Sequence, residues 1–424
     1  MNVRWAKVRL KDVVKINPFT RFPSTGDVDF FPMEAIEQGG GLIYGQSKSV
    51  SEAGGYSQFA EGDILYAKVT PCFENQKSAV ANGLGQGVGL ATTEVMVFRP
   101  SRRILAKFLL YRLQAFDFLQ LGVNTMRGVG GLKRFPDQEA GCFEFLLPPL
   151  DEQARIVKFL DDEITLLEAR ANAFERKRGI LAEAKQALRE SAVFDRQNVT
   201  VPRVVSQIFW HGDVPAHWGL DRLGNLFREA TNSGADDLPV LSVSIHTGIS
   251  DRELGSEDGA RKVSRSENKG LYKRVLPGDL VYNQMRAWQG GFGVARVEGL
   301  VSPAYVVARP NGKVSTEYVE LLLRTPSAIE EMRRRSRGII DFRLRLYWDR
   351  FKDIRIPLPP TNEQKAIVAD LATKLSLLDE QVAKLDDVGA ALRQQRLALV
   401  NDMVTGNVQV SPKKTADIQD LALT

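Results

Sequence analysis

The chain has 424 residues, of which 43% are hydrophobic and 26% charged, and 57 basic against 52 acidic side chains leave a net charge of +5. At about 150 residues per domain this length excludes a single small module, and the ordinary composition excludes wholesale disorder. The mild positive charge permits nucleic-acid binding without requiring it, so the placement of the charge must decide.

No apolar run reaches the roughly 18 residues of a membrane span, and the opening residues lack the apolar core of a signal peptide, so no membrane partner is expected and a soluble, cytoplasmic protein is. Two cysteines, Cys72 and Cys142, and three histidines, His211, His217 and His246, make neither a CxxC pair nor an HExxH site. No metal centre is expected.

Residues 1–149 are rich in glycine, and short β-like runs at Asp63 to Val69 and Thr93 to Phe98 predict a mixed α/β module. An amphipathic helix is predicted near Ile104 to Leu121. Gly40 to Ser47 approximates a phosphate loop, but Gln46 stands where lysine is required; Gly83, Gly85, Gly87 and Gly89 miss GxGxxG. A glycine-rich turn is the better reading. Behind the Gly62-Asp63 strand come Tyr66, Lys68, Thr70, Phe73, Asn75, Gln76 and Lys77, and further on lie Arg127, Lys133 and Arg134. Amides bridge adenine, basic groups meet guanine or phosphate, and aromatics pack on bases, so Tyr66, Lys68, Asn75, Lys77 and Arg127 are candidate DNA contacts. The bland alternative is a solvated surface.

After Leu147-Pro148-Pro149 a helical pattern runs from about Asp151 to Ser191, with Leu160, Leu167, Phe174, Leu181 and Leu188 every seven residues. This is one long helix, within a segment 150–194, followed by a linker at 195–216.

Residues 217–360 repeat the first module at an offset of about 211. Trp5, Arg9 and Leu10 return as Trp218, Arg222 and Leu223, and Gly62 to Tyr66 as Gly278 to Tyr282. Gly89 to Pro100 returns as Gly299 to Pro310, and Leu147 to Gln153 as Leu358 to Gln364. Strands are predicted at Leu280 to Tyr282 and Ala304 to Ala308, and a helix at Thr316 to Arg335 kinked at Pro326. The matched polar stretch now reads Tyr282, Asn283, Gln284, Arg286, Trp288 and Gln289: the frame repeats while the residues differ. A basic tract of Arg333, Arg334, Arg335, Arg337, Arg343 and Arg345 crowds a helix end and the Gly338 loop, a natural phosphate-contacting arrangement. Tyr282, Asn283, Gln284, Arg286, Trp288, Arg333, Arg335 and Arg337 complete the candidate DNA contacts.

A second long helix is predicted from about Asn362 to Val404, inside a segment 361–405 that leaves a tail at 406–424. Leu371, Leu378, Leu385, Leu392 and Leu399 repeat the heptad, and Val157, Ile164 and Ala171 match Val368, Leu375 and Val382 as the companion seam position. Two equal narrow stripes in one chain can bury each other, which predicts an intramolecular coiled coil rather than two helices each packed on its own module. The short linker makes the helices antiparallel, and a pseudo-twofold dumbbell on a rod of about 60 Å is expected. Glu152, Glu363 and a Thr361-x-x-Gln364 capping box read as helix-start chemistry.

No GxSxG and no nuclease-type carboxylate cluster occurs, and the Pro-Pro pairs lack the flanking residues with which amino-methyltransferases hold a base. Catalytic residues: none are assigned. Two variable α/β modules, each followed by Leu-Pro-Pro-x-x-Glu-Gln and a heptad helix, resemble the specificity subunit of type I restriction-modification systems from residue 1 to about 405. That resemblance implies two target-recognition domains, each reading one half of a split sequence in double-stranded DNA, on helices that set the spacing and dock two modification subunits. It also implies that S-adenosylmethionine belongs to the modification subunit, ATP and Mg to the restriction subunit, and no cofactor to this chain, in a prokaryotic cytoplasm. The competing readings are a coiled-coil scaffold for proteins and a stand-alone DNA methyltransferase or nuclease.

Overall fold

The computed structural model describes residues 5–129, 131–194, 200–206, 208–232, 238–245, 248–250, 271–338 and 344–408. Arg343, His246 and most of the expected tail lie outside them. The chain divides into two compact units, residues 1–175 with 386–424, and residues 176–385.

The first unit centres on an antiparallel sheet ordered Val14–Ile16, Val95–Pro100, Ile64–Ala67 and Ser78–Val80. A second sheet, Ser47–Ser49, Asp27–Phe31, Val88–Ala91 and Ser57–Ala60, contains one parallel pairing. Ala6–Arg9 pairs with Glu144–Leu147 and brings the ends of the module together. The second unit repeats the first sheet strand for strand as Phe227–Glu229, Tyr305–Pro310, Leu280–Asn283 and Phe292–Val294, closed by Gly219–Arg222 on Arg355–Leu358. The predicted strands are present in both.

Each predicted module helix is two helices. In the second unit Thr316–Leu323 ends and Pro326 opens Pro326–Arg335 at its first turn, where a missing N–H costs nothing. In the first, Ala106–Leu113 and Phe116–Thr125 are separated without a proline. Side chains take the carbonyls instead: Gln76 Nε2 donates to Gln114 O at 3.0 Å and the Tyr66 hydroxyl to Leu113 O at 3.2 Å.

The long helices are Leu150–Val193, of 44 residues, and Thr361–Thr405, of 45. Within the first unit Ile156, Leu160 and Ile164 share a core with Val400, Met403 and Val404. Within the second, Val193 and Phe194 share a core with Ile367 and Val368, and Lys185 is ion-paired with Asp379, so the two helix segments of that unit run antiparallel. Burial follows the heptad. Leu160, Leu167, Leu181 and Leu371 are buried, and Phe174, Leu188, Leu378, Leu385, Leu392 and Leu399 half-buried, whereas the off-stripe Leu166, Ile180 and Leu377 are exposed.

Gln153 and Gln364 are not helix-capping residues. Gln153 is buried; its Oε1 accepts Leu105 N at 2.8 Å and its Nε2 donates to Pro148 O at 2.8 Å and Arg103 O at 3.0 Å. Gln364 accepts Ser315 N at 2.8 Å and donates to Pro359 O at 2.7 Å. Leu105 and Ser315 are the N-caps of equivalent module helices, so each glutamine ties its long helix to a module. Glu363 receives Trp218 Nε1 at 3.0 Å and faces His217. The expected linker holds a hairpin, Arg203–Val205 on Asp213–Pro215.

Candidate nucleic-acid interface

Each sheet ends its Gly-Asp strand in an irregular polar segment, and in each unit a second, distant stretch of chain is stitched to it. In the first unit Phe135 N donates to Lys68 O at 2.8 Å, Thr70 N to Lys133 O at 3.0 Å, and the Thr70 hydroxyl to Gly131 O at 2.8 Å. Arg127 and Arg134 exchange both main-chain hydrogen bonds, at 3.0 and 2.8 Å, closing a hairpin whose tip exposes Val129 and Leu132. Gly128 is required there: at φ 149° a Cβ would lie 2.3 Å from Leu132 O.

The second unit repeats the stitch with other residues. Leu346 N donates to Gln284 O, and Arg337 and Arg345 exchange two main-chain bonds, all at 2.9 Å. Ala287–Gln289 forms a 3-10 turn against the helix Pro326–Arg335, and Trp288 Nε1 donates to Met285 O at 3.0 Å.

The structure thus joins the two stretches that carry the predicted contacts. Asn75, Arg127, Arg286, Arg333 and Arg337 are exposed; Lys68, Lys77, Gln284, Trp288 and Arg335 are half-buried. Tyr66 and Tyr282 are corrected to core residues. Both strands are covered on both faces, burial raises both phenol pKa values, and neither ring can reach a base. Asn283 is also buried, its Oδ1 accepting Met285 N at 2.9 Å to shape the turn, and Phe73 and Gln76 are core. Lys77 Nζ is tied to Met33 O at 3.1 Å.

Around these two pairings basic groups are parked on carboxylates. Arg127 lies 3.3 Å from Glu139 and Arg337 3.2 Å from Asp349, equivalent and exposed pairs. Such pairs are worth about 0–1 kcal/mol and yield readily to a phosphate. Arg134 grips Glu94 through Nε at 2.8 Å and Nη2 at 2.5 Å, and this hydrogen bonding holds the Glu94 carboxyl below its ordinary range. Arg334 and Arg335 both bind the buried Glu331. The recurrence of Arg-Gly at 127 and 337, with an acid twelve residues later, is the signal that sequence reading left unused. Among the described residues no group of three His, Cys, Asp or Glu is placed to hold a metal, and no helix is long and apolar enough to cross a membrane.

This fold is that of the type I restriction-modification specificity subunits. The chain superposes on the HsdS subunit from Thermoanaerobacter tengcongensis with a TM-score of 0.50 and 21% identity, covering 95% of this chain and 97% of that one. It superposes with a TM-score of 0.63 and 19% identity on a chain from a structure addressing complex assembly and conformational transition of the type I R-M system, covering 96% and 98%. In sequence it is 34% identical over 200 residues to the type I restriction enzyme EcoEI specificity subunit of Escherichia coli, covering 43% of this chain and 33% of that protein. It is 34% identical over 202 residues to the EcoAI specificity subunit, covering 46% and 34%. The chain spans about a third of the length of the curated relatives it matches. No family model matches it. In sequence over part of its length, and in fold over nearly all of it, the chain is thus similar to type I specificity subunits.

Proposed function

We propose that the chain is the non-catalytic DNA-recognition subunit of a type I restriction-modification complex. Residues 1–149 and 217–360 act as target-recognition domains, each reading one half of a bipartite duplex sequence. The helices of segments 150–194 and 361–405 set the spacing and dock two modification subunits. S-adenosylmethionine then belongs to those subunits, and ATP and Mg to restriction subunits that join the same complex in a prokaryotic cytoplasm.

The observation that carries this reading is the double stitch: Lys68 to Phe135 and Gln284 to Leu346 build the same two-segment surface from different amide, basic and aromatic residues. A repeated frame with unlike polar groups is what two readers of unlike base sequences need. Mapping methylated adenines across the host genome with and without the gene tests it. A split motif that disappears on deletion is expected; an unchanged methylome overturns the reading.

A further inference from the structure

The hairpin Arg203–Val205 with Asp213–Pro215, at the place expected for a plain linker, is a built element. Arg203 Nε meets Asp213 at 2.7 Å, and at the turn Ser206 N donates to Gly212 O at 3.1 Å and the Ser206 hydroxyl to His211 O at 2.7 Å. Trp210 packs on the core of its unit, while the neighbouring Phe209 is 91% exposed. The Arg334 guanidinium stands 5.6 Å from the centre of the Phe209 ring.

Phe209 lines a cleft of about 410 Å³ together with Arg222, Arg334, Arg335 and Arg355. Its acids are Glu331, which binds Arg334 and Arg335, and Asp353, which lies 4.0 Å from Arg222. Arg355 has neither an ion pair nor a side-chain hydrogen bond among the described residues. Four guanidinium groups face two carboxylates. A second cleft shares Arg334 and Arg335 and runs on through Ser336 and Arg350 to Arg337, so the hairpin is continuous with the interface described above.

An exposed aromatic ring amid guanidinium groups of net positive charge fits a polyanion that also offers flat apolar faces. Nucleic acid has both. We propose that the 203–215 hairpin is a further DNA contact of the second unit. Phe209 packs on a sugar or base beside the sequence read by that unit, and Arg222, Arg334 and Arg355 take phosphates. This rests on the function proposed above.

The test is hydroxyl-radical footprinting and affinity measurement with the subunit assembled with its modification subunits on a duplex carrying the mapped target. Phe209→Ala removes a solvent-exposed ring, so its melting temperature should match the parent. It is expected to weaken binding about tenfold and to erase protection of one or two nucleotides outside the second half-site, with the methylated sequence unchanged. Arg355→Gln is expected to lower the salt-dependence slope by about 0.9. Parental affinity and footprint for both variants overturn the inference while leaving the proposed function standing. An intact footprint with reduced recovery of modification subunits makes the hairpin a protein-docking element and equally overturns it. A parental complex that protects no specific sequence overturns the proposed function itself.

Discussion

The carboxylate of Asp63 receives Nε and Nη2 of Arg99 at 2.7 and 2.6 Å, and Asp279 receives the same two atoms of Arg309 at 2.9 and 2.8 Å. Each aspartate is almost wholly buried and also accepts a main-chain N–H at 2.8 Å, from Ala60 or Leu276. Hydrogen bonding to the aspartate raises both arginine pKa values. The preceding Gly62 and Gly278 have φ of 83° and 91°, which the turn into the strand demands. The repeated Gly-Asp is therefore a fold determinant.

Replacing Asp63 or Asp279 by Ala strands a partly buried guanidinium and frees the N–H it held. Each variant is expected to lose about 2–4 kcal/mol, measured by urea unfolding. Asn, which keeps an acceptor, should lose less.

Gln153→Leu and Gln364→Leu each leave a partly buried helix N-cap amide without its acceptor, at a cost of about 1 kcal/mol. Hydrogen exchange should accelerate at Leu105 in the first variant and at Ser315 in the second. Unchanged protection would show that water replaces the glutamine.

Glu94 gives a pH dependence of known sign. Its pKa is lowered in the folded state, so its pairing with Arg134 contributes stability above the ordinary glutamate value and loses it as the pH falls through the lowered one. Amide protection of the Arg127–Arg134 hairpin should drop on that acid limb. Glu94→Gln should flatten the dependence.

Arg127→Gln and Arg337→Gln are expected to weaken DNA binding by the assembled complex alike on specific and non-specific duplexes, each lowering the salt slope by about 0.9. An unchanged slope would return both side chains to the solvated surface.

Exchanging residues 1–147 for the matching module of a related subunit should change one half of the methylated motif and preserve the other. Methylome sequencing reads the outcome directly. A change in both halves would mean that the modules do not read independently.

The heptad stripes were legible because a narrow seam on a 44-residue helix leaves its mark in Leu160, Leu167 and Leu181 whatever lies around it. The strands of the modules were legible for a similar local reason. The break at Gln114 was not, since the group that takes its carbonyl, Gln76, sits 38 residues earlier in sequence. Tyr66 and Tyr282 were misassigned because a strand covered on both faces has no period to separate reader from core. The pairings of Arg127 with Arg134 and of Arg337 with Arg345 are single bridges, too little β-pattern to stand out.

The glutamine locks grip only main-chain atoms: the carbonyls of Pro148 and Pro359, the amides of Leu105 and Ser315, and the carbonyl of Arg103. Such a joint is blind to the side chains of the module it holds. Apart from the cores, selection on the joint and selection on the polar surface therefore act on separate residues. Lineages can drift at Lys68, Asn75, Arg286 or Trp288 while inheriting an unaltered attachment.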